Sequence, residues 1–123
     1  MNWSATGAAA LGLAVILGAF GAHGLKDRLD AYSMSVYEKA VFYHFIHALG
    51  ILIVAILPRT STFPEGPSGS VCAVLLAGIV VFSGSLYLLA VTGNRMLGAI
   101  TPIGGVAFIV GWLLLAWHLR RIL

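Results

Sequence analysis

Charged side chains are scarce in this sequence: 9% of its 123 residues are Asp, Glu, Lys or Arg, while 60% are hydrophobic. A water-soluble domain carries about a quarter charged residues. This chain cannot cover its own surface with polar groups, which excludes an ordinary soluble domain. Cysteine is nearly absent as well. The single thiol, Cys72, falls within an apolar run, ruling out an intrachain disulfide and a thiolate metal cluster. Catalytic signatures are missing too: there is no H-E-x-x-H, no G-x-S-x-G, no P-loop and no pair of carboxylates inside an apolar run. Nor is there a basic stripe with interleaved aromatics of the kind that tracks phosphates. The net charge of +3 therefore points to anionic lipid head groups rather than nucleic acid.

What is present is a set of four long apolar runs, with mean hydropathy +1.01 over the chain and charges gathered between the runs. Residues 3–22 contain no charge and would span about 30 Å as a helix, the thickness of a bilayer core. No Lys or Arg precedes them, so the run reads as a retained span and not as a cleaved signal peptide. After His23, Leu25, Leu29, Tyr32 and Val36 recur at helical spacing against Lys26, Asp27, Arg28 and Asp30, which predicts a short interfacial helix. Ser35-Val36-Tyr37-Glu38 fits a capping box and opens a second predicted span over 36–57, ended by Pro58. Residues 58–70 hold Pro58, Pro64, Pro67, Gly66 and Gly69 and read as a solvated loop.

A third span is expected over 71–91, closed by Gly93 in the left-handed conformation. A fourth over 102–119 has Thr101 as N-cap and Pro102 in its first turn. The predicted fold is all-α: one integral membrane domain, 1–123, forming a four-helix transmembrane bundle with a short interfacial helix after the first span and both termini on one side. Loops one and three carry Lys26, Arg28, Lys39 and Arg95, against Arg59, Arg120 and Arg121 on the other side. That slight excess favours loops one and three in the cytoplasm.

Helices in lipid associate through small residues and polar cross-links. The first span offers Ala14, Gly18 and Ala22 at four-residue spacing, and also Ser4, Ala8 and Gly12. Polar side chains inside spans are the functional candidates. Counted from Ser35, His47 lies about 18 Å into the second helix, near the bilayer midplane. Tyr43 and His44 flank it within about 60° around the helix, and the third span supplies Ser83 and Tyr87 one turn apart. Tyr43, His47, Ser83 and Tyr87 thus form either a hydrogen-bonded network that ties helices together or a midplane site for a proton or small lipophilic ligand. Glu38 points about 180° from His47, so its capping role suffices; His23 and Glu38 stand as interfacial polar candidates. His23, His47 and His118 lie at different depths and cannot share an ion. His44 and His47 lack further ligands, so neither a metal nor a cofactor is expected.

Taken in order, Gly18-Ala19-Phe20-Gly21-Ala22-His23-Gly24-Leu25, then Glu38, Ala40, Tyr43 and His47-Ala48-Leu49, then Phe82-Ser83-Gly84-Ser85-Leu86-Tyr87, and Ile100-Thr101-Pro102-Ile103-Gly104-Gly105 through Gly111-Trp112 resemble one family of small membrane proteins. It is the domain of unknown function four-two-three, which includes bacterial inner-membrane proteins and relatives of the eukaryotic transmembrane protein two-five-six. The resemblance covers nearly the whole chain. It implies a multi-pass protein of the bacterial plasma membrane or its mitochondrial equivalent, with no established biochemical activity. His23, Glu38, Tyr43 and His47 match the family's polar positions, whereas His44 sits where such sequences often carry another polar residue. The expected function is non-enzymatic: packing, assembly or accessory work in the lipid bilayer, as a homo-oligomer or within a larger membrane complex. The alternative is a binder or carrier of a small lipophilic ligand or proton through the midplane cluster.

Overall fold

An apolar chain in lipid must satisfy its backbone N–H and C=O groups within its own segments, and residues 1–122, which the computed structural model describes, fold almost entirely into helix. The first span is α1 (Trp3–Phe20), prolonged by one wide π turn, Gly21–Leu25. Asn2 caps it, its side-chain oxygen accepting the Ala5 amide at 3.1 Å. The second is α2 (Ala31–Thr60). The third is made of α3 (Glu65–Gly78), a second wide turn (Ile79–Ser83) and α4 (Gly84–Thr92). A 3-10 turn, Arg95–Ala99, leads into α5 (Thr101–Ile122). Four continuous helices result, each long and apolar enough to cross a bilayer, and the all-α four-helix expectation holds. Gly93 closes the third at φ 72°, as its sequence position implies.

Several boundaries differ from those expected, for local reasons. No separate interfacial helix forms over 23–34. Its first residues continue the first span, and its last ones already belong to α2. Asp30 supplies a cap five residues before Ser35, accepting the Ser33 amide at 2.7 Å. Nothing between Ala31 and Ser35 breaks a helix, so the Ser35–Glu38 capping box is not used; both residues are exposed on the helix surface.

The expected loop over 58–70 shrinks to residues 61–64. Pro58 sits in the last turn of α2, where its missing N–H deprives the Val54 carbonyl of a partner. Ser68 Oγ donates to that carbonyl at 2.8 Å, so the proline is accommodated by the neighbouring helix. Pro67 lies in the first turn of α3, where amides have no helical acceptor to lose. Thr101 opens α5, but its hydroxyl pairs with Ser85 at 2.6 Å.

The helices are arranged in sequence order. α2 and the third span form the centre, α1 lies chiefly on α2, and α5 lies chiefly on α3 and the wide turn after it. The first and fourth spans are accordingly the least buried. Ile51, Val54, Val71, Cys72, Leu75 and Phe108 fill the core between α2, α3 and α5. At two points a missing side chain lets one helix approach the backbone of another. A Cβ on Gly7 would lie 2.8 Å from the Leu52 amide nitrogen, and one on Gly104 would run into the Phe82 backbone.

The Asp30 cap has a pH signature. Its carboxylate accepts from the Ser33 amide and side chain and faces the Arg95 charge, which together hold its pKa below the ordinary 3.8. A carboxylate whose pKa is lowered by folding contributes stability above its unfolded pKa, and that contribution disappears as pH falls through the folded value. Wild-type protein in nanodiscs is expected to melt at a lower temperature as pH drops below 3.8. Asp30→Asn keeps an acceptor without the titration, so its melting temperature should be less pH-dependent in this window. Identical slopes for the two proteins would remove Asp30 from the explanation.

Candidate functional site

Lys39 and Arg59 are the charged residues that bracket the apolar stretch of α2. Twenty residues of helix rise about 30 Å, the thickness of a bilayer core. His47 lies about 12 Å along the helix from Lys39 and about 18 Å from Arg59, near the middle of that stretch. Its ring stacks on Phe108 with centroids 3.5 Å apart and an interplanar angle of 11°, with Tyr43 at 5.9 Å and Trp112 at 5.8 Å. Nδ1 lies 2.7 Å from the Tyr43 carbonyl. A carbonyl only accepts, so Nδ1 carries the proton and Nε2 is the acceptor in the neutral ring.

Ser83 and Tyr87 do not join His47. Ser83, fully buried, donates to the Ala40 carbonyl at 2.8 Å and ties the wide turn of the third span to α2. Tyr87 Oη lies 2.9 Å from His44 Nδ1. Tyr37 packs edge-on against Tyr87 with centroids 5.2 Å apart and donates to the Leu17 carbonyl at 2.5 Å. His44 and Tyr37 thus connect α1, α2 and α4. Tyr43, meanwhile, sits among aromatics, 4.5 Å from the Phe82 ring.

The four midplane candidates therefore divide: Tyr43 and His47 form one aromatic group, Tyr87 a polar group with His44, and Ser83 a separate cross-link. His44 and Tyr37 were overlooked as a pair, although they are seven residues apart and so share one face of α2. Ala14 is fully buried and Gly18 half-buried, with a Cβ on Gly18 3.3 Å from a Val41 methyl. That row faces α2 within the chain as far as Ala22, which is exposed.

Among the grooves on the surface of the described residues, three bear on these candidates. One of about 430 Å³ lies between α1 and α2, lined by Gly18, Ala22, Tyr37 and Phe42 with Glu38 at its edge. His23 is exposed on the wide turn of the first span and does not line that groove. A second, about 480 Å³, lies at the end carrying the termini and includes both Arg59 and Glu65. The third, about 490 Å³, runs along α2 past Tyr32, Ser35, Lys39 and Tyr43, with Phe82 and Leu86 opposite. Among the described residues, no three of His, Cys, Asp and Glu are grouped so as to hold a metal ion.

A family model described as "Protein of unknown function (DUF423)" matches residues 17–105. A UPF0382 membrane protein of Staphylococcus epidermidis is 52% identical over 103 residues, covering 84% of this chain and 82% of that one. The UPF0382 membrane protein YwdK of Bacillus subtilis is 49% identical over 106 residues, covering 84% of this chain and 83% of its own. No solved structure matches the chain.

Proposed function

Because the chain belongs to the DUF423 family of membrane proteins, whose relatives are named for their location and not for a reaction, we propose that it acts by lateral association in the bilayer, as a non-enzymatic assembly protein. One observation carries this reading. The face of α1 turned away from α2 presents Ala8 and Gly12, both exposed, with nothing within 4 Å of where a Gly12 Cβ would stand; Ser4, the third member of the row, instead borders the groove shared with α2. Lipid tails gain little from so flat a strip, whereas another helix backbone can approach it closely. The occupant is a second copy of the chain. Its home is the bacterial plasma membrane, with loops one and three in the cytoplasm on the strength of Lys26, Arg28, Lys39 and Arg95.

The carrier reading has less support. The Ser83 and Tyr87 hydroxyls are engaged by the Ala40 carbonyl and His44, and each is more than 40 residues away in sequence from its partner, as expected of helix-to-helix ties.

Cysteine cross-linking in native membranes tests the assembly. Cys72 is buried and is first replaced by alanine. Ala8→Cys is then expected to give disulfide-linked dimers on oxidation, and Gly12→Leu in the same chain to reduce them at least five-fold. Val106→Cys, on the exposed outer face of α5, should stay monomeric. Monomers at both positions, or equal dimer at both, would remove the α1 interface.

A further inference from the structure

We propose that the groove beside Lys39 is a binding site for one anionic phospholipid, its phosphate held at Lys39 and an acyl chain lying against the third span. Of the three grooves, it is the one whose lining includes a cation and no carboxylate. The α1/α2 groove has Glu38 at its edge, and the groove at the termini balances Arg59 with Glu65. The volume of about 490 Å³ lies within the range of about 300–1,000 Å³ usual for sites of small amphiphiles.

Composition along the groove changes in the direction a lipid requires. On the α2 wall, Tyr32, Ser35, Lys39 and Tyr43 succeed one another on one helix face, from the end of the helix toward the midplane. The polar members come first. Lys39 stands at the edge of the hydrocarbon core, where a lysine extends its ammonium toward the head groups along its own stem. Toward the midplane the walls are Tyr43 and Phe82, while Leu86 and Leu89 of the antiparallel third span face the outer part of the groove, apolar surfaces that suit a hydrocarbon chain.

A second cation lies at the mouth. The Arg95 guanidinium sits 4.2 Å from the centroid of the Tyr32 ring, and Tyr32 lines the groove. Asp30 also faces Arg95, so Arg95 is partly neutralised and Lys39 is the principal anchor. Ser35 adds a hydroxyl donor four residues from Lys39, one turn along the same wall.

Native mass spectrometry of protein released from nanodiscs made of equal parts phosphatidylglycerol and phosphatidylcholine tests the site. The wild type should retain one phosphatidylglycerol in preference to phosphatidylcholine. Lys39→Gln should lower that preference about five-fold, the effect of removing one basic residue near an anionic surface. Lys39 is exposed, so this variant should fold, and an unchanged melting temperature verifies it. Arg59→Gln, at the opposite edge of α2, should leave the preference as in wild type. Equal retention of the two lipids overturns the site, as does a preference that survives Lys39→Gln. An equal loss in Arg59→Gln overturns it too, since it would reduce the effect to general surface charge.

Discussion

Replacing Gly104 by leucine is expected to leave almost no folded protein in the membrane, and even Gly104→Ala should destabilise it by about 1–3 kcal/mol, the usual cost of overpacking a close contact. The Cβ added by alanine would meet the Phe82 amide nitrogen and lie 2.7 Å from the Phe82 Cα. Those are backbone atoms, so no rotamer change relieves the clash. Phe82 belongs to the wide turn Ile79–Ser83, whose position is fixed on its other side by the Ser83 bond to the Ala40 carbonyl of α2. One turn further along α5, Phe108 lies directly over Gly78, with its Cε1 2.6 Å from where a Gly78 Cβ would be. α5 is therefore held against the third span at two successive turns, and it cannot move out at Gly104 without losing the Phe108 contact.

In lipid, packing of this kind and a few polar bonds are what holds helices together. The loss is consequently not offset by a hydrophobic effect elsewhere. Gly84→Ala is the matched control, since nothing stands within 4 Å of its Cβ position. Thermal unfolding in nanodiscs, with folded yield from membranes, reads the difference; a Gly104→Ala protein that melts with Gly84→Ala would show that the helices tolerate separation here.

Why the sequence discloses some of this and not the rest follows from which interactions are local. Four spans are legible because run length and hydropathy are properties of one segment at a time, and Gly93 is legible as a helix end because its φ of 72° is a demand on a single residue. The start of α2 was misplaced because two caps compete within five residues. Ser35–Glu38 has the fuller motif, but Asp30 comes first and no helix breaker intervenes. The Pro58 region was misread because the group that replaces its missing hydrogen bond, Ser68, comes from the next helix.

The wide turns at Gly21–Leu25 and Ile79–Ser83 carry no sequence signature of their own. The second holds Ser83, which bonds the Ala40 carbonyl of α2, and at the first the Tyr37 ring of α2 fills the place of a Gly21 Cβ. The same limit governs the midplane cluster. Periodicity places Tyr43, His44 and His47 on neighbouring faces of α2, but which of them meets Tyr87 depends on the rotation of α4, and that is set after the wide turn has shifted its register. His47 has the midplane depth, while His44 has the cross-helix partner. Lys39 is visible in the sequence only as a positive charge; its groove is a product of three elements meeting.

That division between the two histidines yields the second large effect. His44→Phe is expected to cost about 1–2 kcal/mol and His47→Phe less than about 1 kcal/mol, although both replace a buried imidazole by an apolar ring. His44 pairs with the Tyr87 hydroxyl on α4. Its replacement leaves the Tyr87 hydroxyl without that partner among apolar side chains, and an unsatisfied buried donor is the expensive outcome. His47 donates only to the Tyr43 carbonyl of its own helix. That carbonyl retains its backbone partner when the ring nitrogen is lost, and phenylalanine preserves the stack on Phe108.

The proof lies in the double variant. Tyr87→Phe removes the stranded hydroxyl, so adding it to His44→Phe should restore at least half of the lost stability, while adding it to His47→Phe should make matters worse by roughly its own separate cost. A double-mutant cycle of unfolding free energies in bilayers measures both. Equal costs for the two histidines, or no recovery in His44→Phe with Tyr87→Phe, would dissolve the tie between α2 and α4. With recovery confined to the His44 pair, the polar contacts at the centre of this membrane protein act as helix-to-helix bonds, and its exposed surfaces become the place to look for what it binds.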